Sequence, residues 1–260
     1  MQVNELEKHV SKNISDYLIE TDFCNFSDPA ICSICEHFKL IHDDKTQLAK
    51  QLFIFARDHT KYRVGGWNKK ASQTLSTGKG TCTNNTNLLV ALFRKCGIPS
   101  GYGIMKVKGK EYFGPIVPYH LNKFISNQSI HVYCYVSLNN KWIKCDPSDD
   151  EEFALSTHHI NPQSKLVLWD GENDAMLNLD KHHIIFDIGP LVNIDHIMRK
   201  RVKLWKIPAI KLGNIFIDYM RINGSRFNSI IIAEENFEKW LKLEHRMYFI
   251  VYSFLKIIKI

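Results

Sequence analysis

Gly78-Lys-Gly-Thr-Cys82-Thr-Asn-Asn-Thr-Asn-Leu-Leu-Val-Ala-Leu-Phe-Arg-Lys-Cys-Gly-Ile-Pro99 is the stretch whose reading sets the rest of this chain. Leu88, Leu89, Leu92, Phe93 and Cys96 recur at helical spacing and mark a buried stripe. Gly97 and Pro99 then stop the helix in the order that helix C-termini favour. Cys82 therefore falls in the first turn, directly after Gly78-Lys-Gly-Thr81. Backbone N–H groups at a helix start lack intrahelical partners, so they can stabilise a thiolate and hold an oxyanion. The two glycines are expected to let backbone, and a substrate, approach closely.

A nucleophilic cysteine needs a base, and the strands downstream supply one. Gly103–Lys108, His131–Leu138 and Lys141–Asp146 read as strands, and Asn139-Asn140 reads as a two-residue turn. If Leu138 pairs with Lys141, Tyr133 faces Asp146 and His131 faces Ser148. Alternation then puts His131, Tyr133, Trp142, Lys144 and Asp146 on one face, with Asp146 diagonal to His131. Val132, Cys134, Val136, Ile143 and Cys145 point into an apolar layer, where Cys134 and Cys145 are cross-strand neighbours and buried thiols.

Working outward, residues 1–20 have the spacing of an amphipathic helix. Asp28-Pro29 starts a second helix through Phe38, and a third covers about Asp44–Thr60. Lys61–Lys70 is expected to be loop and Ala71–Thr77 a short helix, with a helical or loop insertion at about 115–128. Beyond Asp149 come polar loops, strand candidates Leu166–Trp169 and Ile184–Ile188, and helical C-terminal segments. Helices first and strands next predict a single α+β domain over 1–260. Its parts are a helical N-terminal portion (1–75), a core (76–150) and a C-terminal portion of strands and helices (151–260).

Hydrophobic residues at 45% and charged residues at 23% match an ordinary globular protein. The polar start MQVNELEKHV, the lack of a long apolar run and seven cysteines at irregular spacing predict a cytoplasmic protein with reduced thiols and no transmembrane segment. The net charge of +7 is moderate, and the basic run Arg199–Lys203 with Lys206 and Lys211 is read as a solvated face. No zinc finger or basic–aromatic motif is present, so nucleic acid is not an expected partner. Cys32 and Cys35, with Cys24, His37 and His42, offer zinc ligands. They lack a second paired knuckle and sit within a predicted helix, so no metal is called for. The pairs His158-His159 and His182-His183 diverge on any regular element. Gly78-Lys-Gly-Thr lacks phosphate-loop spacing, and no cofactor is implied. Met247–Ile260 is apolar and is expected to dock as a terminal helix or strand, the other reading being an interfacial or partner-binding segment.

The Cys82 stretch resembles the nucleophile helix of the transglutaminase-like superfamily, whose pattern is G-x-C followed by an apolar helix closing in G-I-P. His131-Val-Tyr-Cys-Tyr-Val resembles its histidine strand, and Lys141-Trp-Ile-Lys-Cys-Asp146-Pro-Ser its W-x-x-x-D-P strand. The likeness is strongest over about 45–150. Tyr17–Phe26, Asp28-Pro29-Ala30 and Trp169-Asp170-Gly171 are more weakly similar to bacterial transglutaminase-like proteins, a group that includes Dieckmann cyclases. The resemblance implies a transglutaminase-like (papain-like) core with the nucleophile helix packed on an antiparallel sheet.

It also implies a catalytic triad of Cys82, His131 and Asp146. Cys82 would attack an acyl carbonyl to give a thioester, His131 would act as base and then acid, and Asp146 would orient His131. The implied substrates are a peptide, an amide or a thioester-bound acyl group, with a carrier protein as a candidate partner. Transamidation, hydrolysis and Dieckmann-type cyclisation share this start, and a non-catalytic binding module is the competing class. The Cys82 backbone N–H is the first oxyanion donor; Trp67 and Gln73 are candidates for the second. One departure from the pattern, the polar Thr83-Asn-Asn-Thr86, bears on the substrate-facing surface. Nothing in the sequence sets the oligomeric state.

Overall fold

The computed structural model describes residues 2–114, 117–161 and 165–257. Its first helix, α1 (Val3–Glu7), is far shorter than the expected 1–20 and is followed by a 3-10 turn at Ile14–Leu18. Polar side chains break the helix: Asn13 accepts from the Ser15 N–H, and the Ser11 hydroxyl donates to Asp16. Leu6 and Tyr17 are buried, whereas Val10 and Ile14 stay exposed. α2 (Pro29–Ile41) and α3 (Lys45–His59) begin where their caps predict, with Asp28 accepting from Ala30 N–H and Asp44 from Gln47 N–H. The predicted loop at 61–70 opens with a strand instead. β1 (Lys61–Tyr62) pairs in parallel with β2 (Lys79–Gly80), and between them lies α4 (Ala71–Thr77), closed by Gly78 at φ +57°. α5 (Cys82–Lys95) follows.

A four-stranded antiparallel sheet completes the core. β3 (Ser100–Lys108) leads into α6 (Gly109–Phe113), then come β4 (Gln128–Leu138), β5 (Lys141–Cys145), α7 (Glu151–Thr157) and β6 (Ile184–Leu191), in the order β5-β4-β3-β6. Asn139 and Asn140 adopt φ of 50° and 63°, as a tight hairpin turn of this hand requires. Leu138 pairs with Lys141 and Cys134 with Cys145, the register expected from the turn. Gly103 of β3 lies beneath the Tyr133 ring, where a Cβ would come within 2.2 Å of Cζ. α5 packs against β3 and β4 on one side and against α2, α3 and α4 on the other, which buries its apolar stripe completely. Leu166–Trp169 is irregular rather than a strand. Its Val167 carbonyl accepts from Arg57 Nη1 at 2.7 Å, and the Trp169 indole donates to Asn173 O, so side chains satisfy what a ladder would have.

The C-terminal part is helical: α8 (Asp195–Met198), α9 (Ile207–Asn223), α10 (Ile230–Glu244) and α11 (Arg246–Ile257). α9 to α11 build a second apolar cluster around Phe216, Phe237 and Tyr252, joined by Tyr62, Phe124 and Phe153. The apolar terminal segment docks as α11 through Tyr252 and Leu255, while 258–260 lie outside the described residues. A buried ion pair ties α9 to β1 and to the start of α7. Asp150 caps α7, accepts from the Tyr62 N–H at 2.8 Å and pairs with Arg221 of α9 at 2.8 Å. Among the described residues no helix is long and apolar enough to cross a membrane.

The far end of α5 is fixed by Arg94. Its guanidinium donates to the carbonyls of Ser100 (3.0 and 2.9 Å), Ile19 (2.6 Å) and Val192 (2.7 Å). This joins α5 to β3, to the N-terminal turn and to the chain after β6, and it places a cation at the negative helix end. Arg94→Ala would orphan three carbonyls at once. It is expected to destabilise the fold by about 3 kcal/mol, read from the urea midpoint with an unchanged slope.

Candidate active site

Cys82 is the first residue of α5, is 5% exposed and lines a cleft of about 290 Å³ with Tyr62, Val64, Trp67, Thr81 and Ile130. The polar residues after it do not face that cleft. Thr83, Asn84, Asn85, Thr86 and Asn87 are all buried, and most act as tethers. Thr81 and Asn84 form a capping box, and Asn84 Nδ2 donates to Trp67 O at 2.9 Å. Asn85 Nδ2 donates to the carbonyls of Pro147 and Ser148 at 3.3 and 3.2 Å. Thr86 Oγ1 donates to Val132 O at 3.0 Å; Asn87 Nδ2 donates to Phe23 O at 2.9 Å, and Asn87 Oδ1 accepts from the Tyr102 hydroxyl at 2.8 Å. The amides and hydroxyls thus pin the nucleophile helix to the strand of His131 and to the turn after Asp146. Gly80 is needed for the same reason: a Cβ there would lie 2.4 Å from Asn85 Oδ1. Its small size admits the Asn85 amide rather than a substrate.

His131 and Asp146 meet in the interior. His131 Nε2 lies 2.6 Å from Asp146 Oδ2, with both side chains fully buried. The other carboxylate oxygen accepts from the Ser148 hydroxyl. β5 stops one residue short of the predicted bound, because the Asp146 N–H donates to Ala175 O at 3.0 Å instead of to β4. Burial opposes a charge on His131. The Asp146 carboxylate, its hydrogen bond and an interaction with Cys82 outweigh it and hold the imidazole well above its usual range. His131 Nδ1 lies 3.1 Å from the Tyr112 hydroxyl. Burial pushes both the Tyr112 and the Tyr62 phenol well up, and both feel Cys82, Asp146 and Asp149. Asp149, also buried, is pushed up to about 7 by desolvation and by the charges of Asp146 and Asp150, against the pull of His131 and Arg221.

Of the two candidates for a second oxyanion donor, Trp67 lines the cleft with Cys82, while Gln73 is exposed and its Oε1 accepts from the Lys70 N–H. The candidate zinc ligands are occupied elsewhere: Cys35 Sγ donates to Leu92 O at 3.5 Å, Cys32 Sγ reaches Phe26 O at 3.6 Å, and Cys24 is buried. Among the described residues no three His, Cys, Asp or Glu side chains are grouped as for a metal ion. His159 binds Phe227 O and His158 binds Leu155 O. Cys134 and Cys145 are free, buried, cross-strand thiols, and burial pushes Cys145 well up. The sequence reading missed Tyr62, Tyr112 and Asp149. Tyr62 and Tyr112 arrive from β1 and α6, whose approach to the site depends on long-range packing. Asp149 stands in a run with Asp150, and that local run of acids was the available signal.

Two substitutions test this arrangement. Gly80→Ala should drive Asn85 from its seat, lower stability by on the order of 2 kcal/mol and slow iodoacetamide alkylation of Cys82. For Asp149, the folded protein holds the proton more tightly than the unfolded chain. Its contribution is therefore present at low pH and is lost as pH rises through about 7. Asp149→Asn should flatten urea stability between pH 4 and 7 and exceed the wild type above pH 7; an unchanged pH slope would show that Asp149 is not the group responsible.

Residues 36–147 match the family model described as Transglutaminase-like superfamily. No curated protein matches the chain. Among solved structures, the crystal structure of a candidate cysteine protease from Cytophaga hutchinsonii is similar at 17% identity and a TM-score of 0.40. That match covers 54% of this chain and 44% of the other, so the chain spans less than half the length of that protein. The segment 36–147, which holds the Cys82 helix and both partner strands, is thus similar to the transglutaminase-like superfamily.

Proposed function

We propose that this protein is a thiol acyltransferase or amide hydrolase that works through a thioester on Cys82. The observation that carries the reading is the buried His131–Asp146 pair, 2.6 Å apart, held beside a cysteine that lines a cleft at a helix start. In this reading Cys82 gives its proton to His131 and its sulfur attacks the acyl carbonyl. The developing oxyanion is met by the backbone N–H groups of the helix start. As the leaving-group bond breaks, His131 returns the proton to the departing amine or thiol. Water or an amine then takes the acyl group, with His131 as base. Asp146, itself fixed by Ser148, holds the imidazole in orientation and offsets its charge. Seven unpaired thiols suit a reducing compartment, and we place the protein in the cytoplasm.

A Dieckmann-type cyclase acting on a carrier-bound thioester would use the same first step, with a carbon of the same acyl chain as acceptor. A non-catalytic binding module would keep the fold without the thioester. Intact-mass analysis after incubation with S-phenyl thioacetate separates the two enzyme readings from the binding module. A +42 Da adduct on Cys82 is expected, slowed at least ~100-fold by His131→Ala and absent in Cys82→Ala. Acylation at equal rates with and without His131 would sink the enzyme reading.

A further inference from the structure

The cleft at Cys82 opens into a larger chamber that the chemistry above leaves unused. It measures about 390 Å³, the size of a small-molecule pocket. It shares Val64, Gly65, Trp67, Ser126 and Ser129 with the Cys82 cleft, so the two are continuous. Its walls are apolar: Val64, Leu121, Phe124, Val202, Ala209 and Ile210. Its rim is basic, formed by Lys200, Arg201, Lys203 and Lys206. The run read from sequence as a solvated face thus borders a cavity.

These cations are not balanced locally. Among the described residues no Asp or Glu lines the chamber or the Cys82 cleft. Arg199, one residue outside the rim, pairs with Asp22, but Lys206 Nζ meets the Ser126 hydroxyl at 3.2 Å and the Trp205 ring at 5.3 Å from its centroid, neither of them a counter-charge. Burial, and Lys203 beside it, push the Lys206 ammonium below its usual range, as expected of a cation without a counter-charge. A peptide side chain needs neither an apolar chamber of this size nor four cations at its edge.

We infer that the donor of the acyl group is an anionic amphiphile, whose apolar body fills the chamber beside Cys82 and whose carboxylate or phosphate sits on the Lys200–Lys206 rim. This rests on the thioester reading above for the reaction, though not for the binding. In the acylation step the Cys82 sulfur–acyl carbon bond forms and the acyl–leaving-group bond breaks. The leaving thiol departs with the proton that His131 took from Cys82, so no further reactant is required.

Calorimetry on the full chain with octyl phosphate, octanoate, 1-octanol and inorganic phosphate tests the ligand class. At least one of the two anionic amphiphiles should bind ten-fold or more tighter than 1-octanol and than inorganic phosphate, and which one does so identifies the anion. Lys203→Ala with Lys206→Ala should cut that advantage at least ten-fold. In parallel, S-phenyl thiooctanoate should acylate Cys82 ten-fold or more faster than S-phenyl thioacetate, a ratio that Ala209→Leu should shrink. Binding in which neither octyl phosphate nor octanoate exceeds both 1-octanol and inorganic phosphate overturns the inference. Equal rates for the two thioesters without amphiphile binding overturn it while leaving the thioester chemistry standing. Amphiphile binding as expected with no acylation by either thioester keeps the ligand class and overturns the chemistry.

Discussion

The position of Cys82 depends on hydrogen bonds made by side chains that a helix start of this kind would ordinarily show to solvent. Asn84, Asn85, Thr86 and Asn87 are buried, and each donates to a carbonyl on a different part of the chain. A buried amide without a partner costs as much as a good hydrogen bond gains, so such a network is strict about geometry. The helix can take only the one seat in which Trp67, Pro147, Val132 and Phe23 all present their oxygens. Arg94 does the same at the other end, and the apolar stripe between them supplies the bulk of the burial.

The same interior holds more negative charge than a triad needs. Asp146, Asp149 and Asp150 lie within five residues, opposed by His131 and Arg221. Each carboxylate has a separate solution. Asp146 is matched to the imidazole, Asp150 to a guanidinium and to the N–H groups of Tyr62 and Phe153, and Asp149 keeps its proton up to about neutrality. Three like groups so close cannot all ionise cheaply, and the protein resolves this by giving two of them partners.

Much of the core was legible in the sequence because it rests on local rules. The Asn139-Asn140 turn sets the β4–β5 register, and Asp28-Pro29 announces its helix. What escaped depends on distant partners. The helix expected over 1–20 yields to the local hydrogen bonds of Ser11 and Asn13. The strand expected at 166–169 is replaced by a loop because Arg57 reaches its carbonyl. β1 and β2 are two residues each, too short for any periodicity. The polar Asn-Thr start looked like a surface, since composition reports polarity and not whether a carbonyl waits opposite each amide.

Those two short strands have a mechanical consequence. Lys61 and Arg63 donate to the carbonyls of Gly78 and Gly80, and Asn84 holds Trp67 by its carbonyl. The segment that walls the cleft and the residue two before the nucleophile are therefore parts of one rigid piece. Exchange of a side chain at Val64 or Trp67 can reshape the pocket while the Cys82 backbone stays where it is. An inserted residue in the same segment would be transmitted straight to the thiol. Diversification of this wall should thus run through side-chain identity and avoid changes of length.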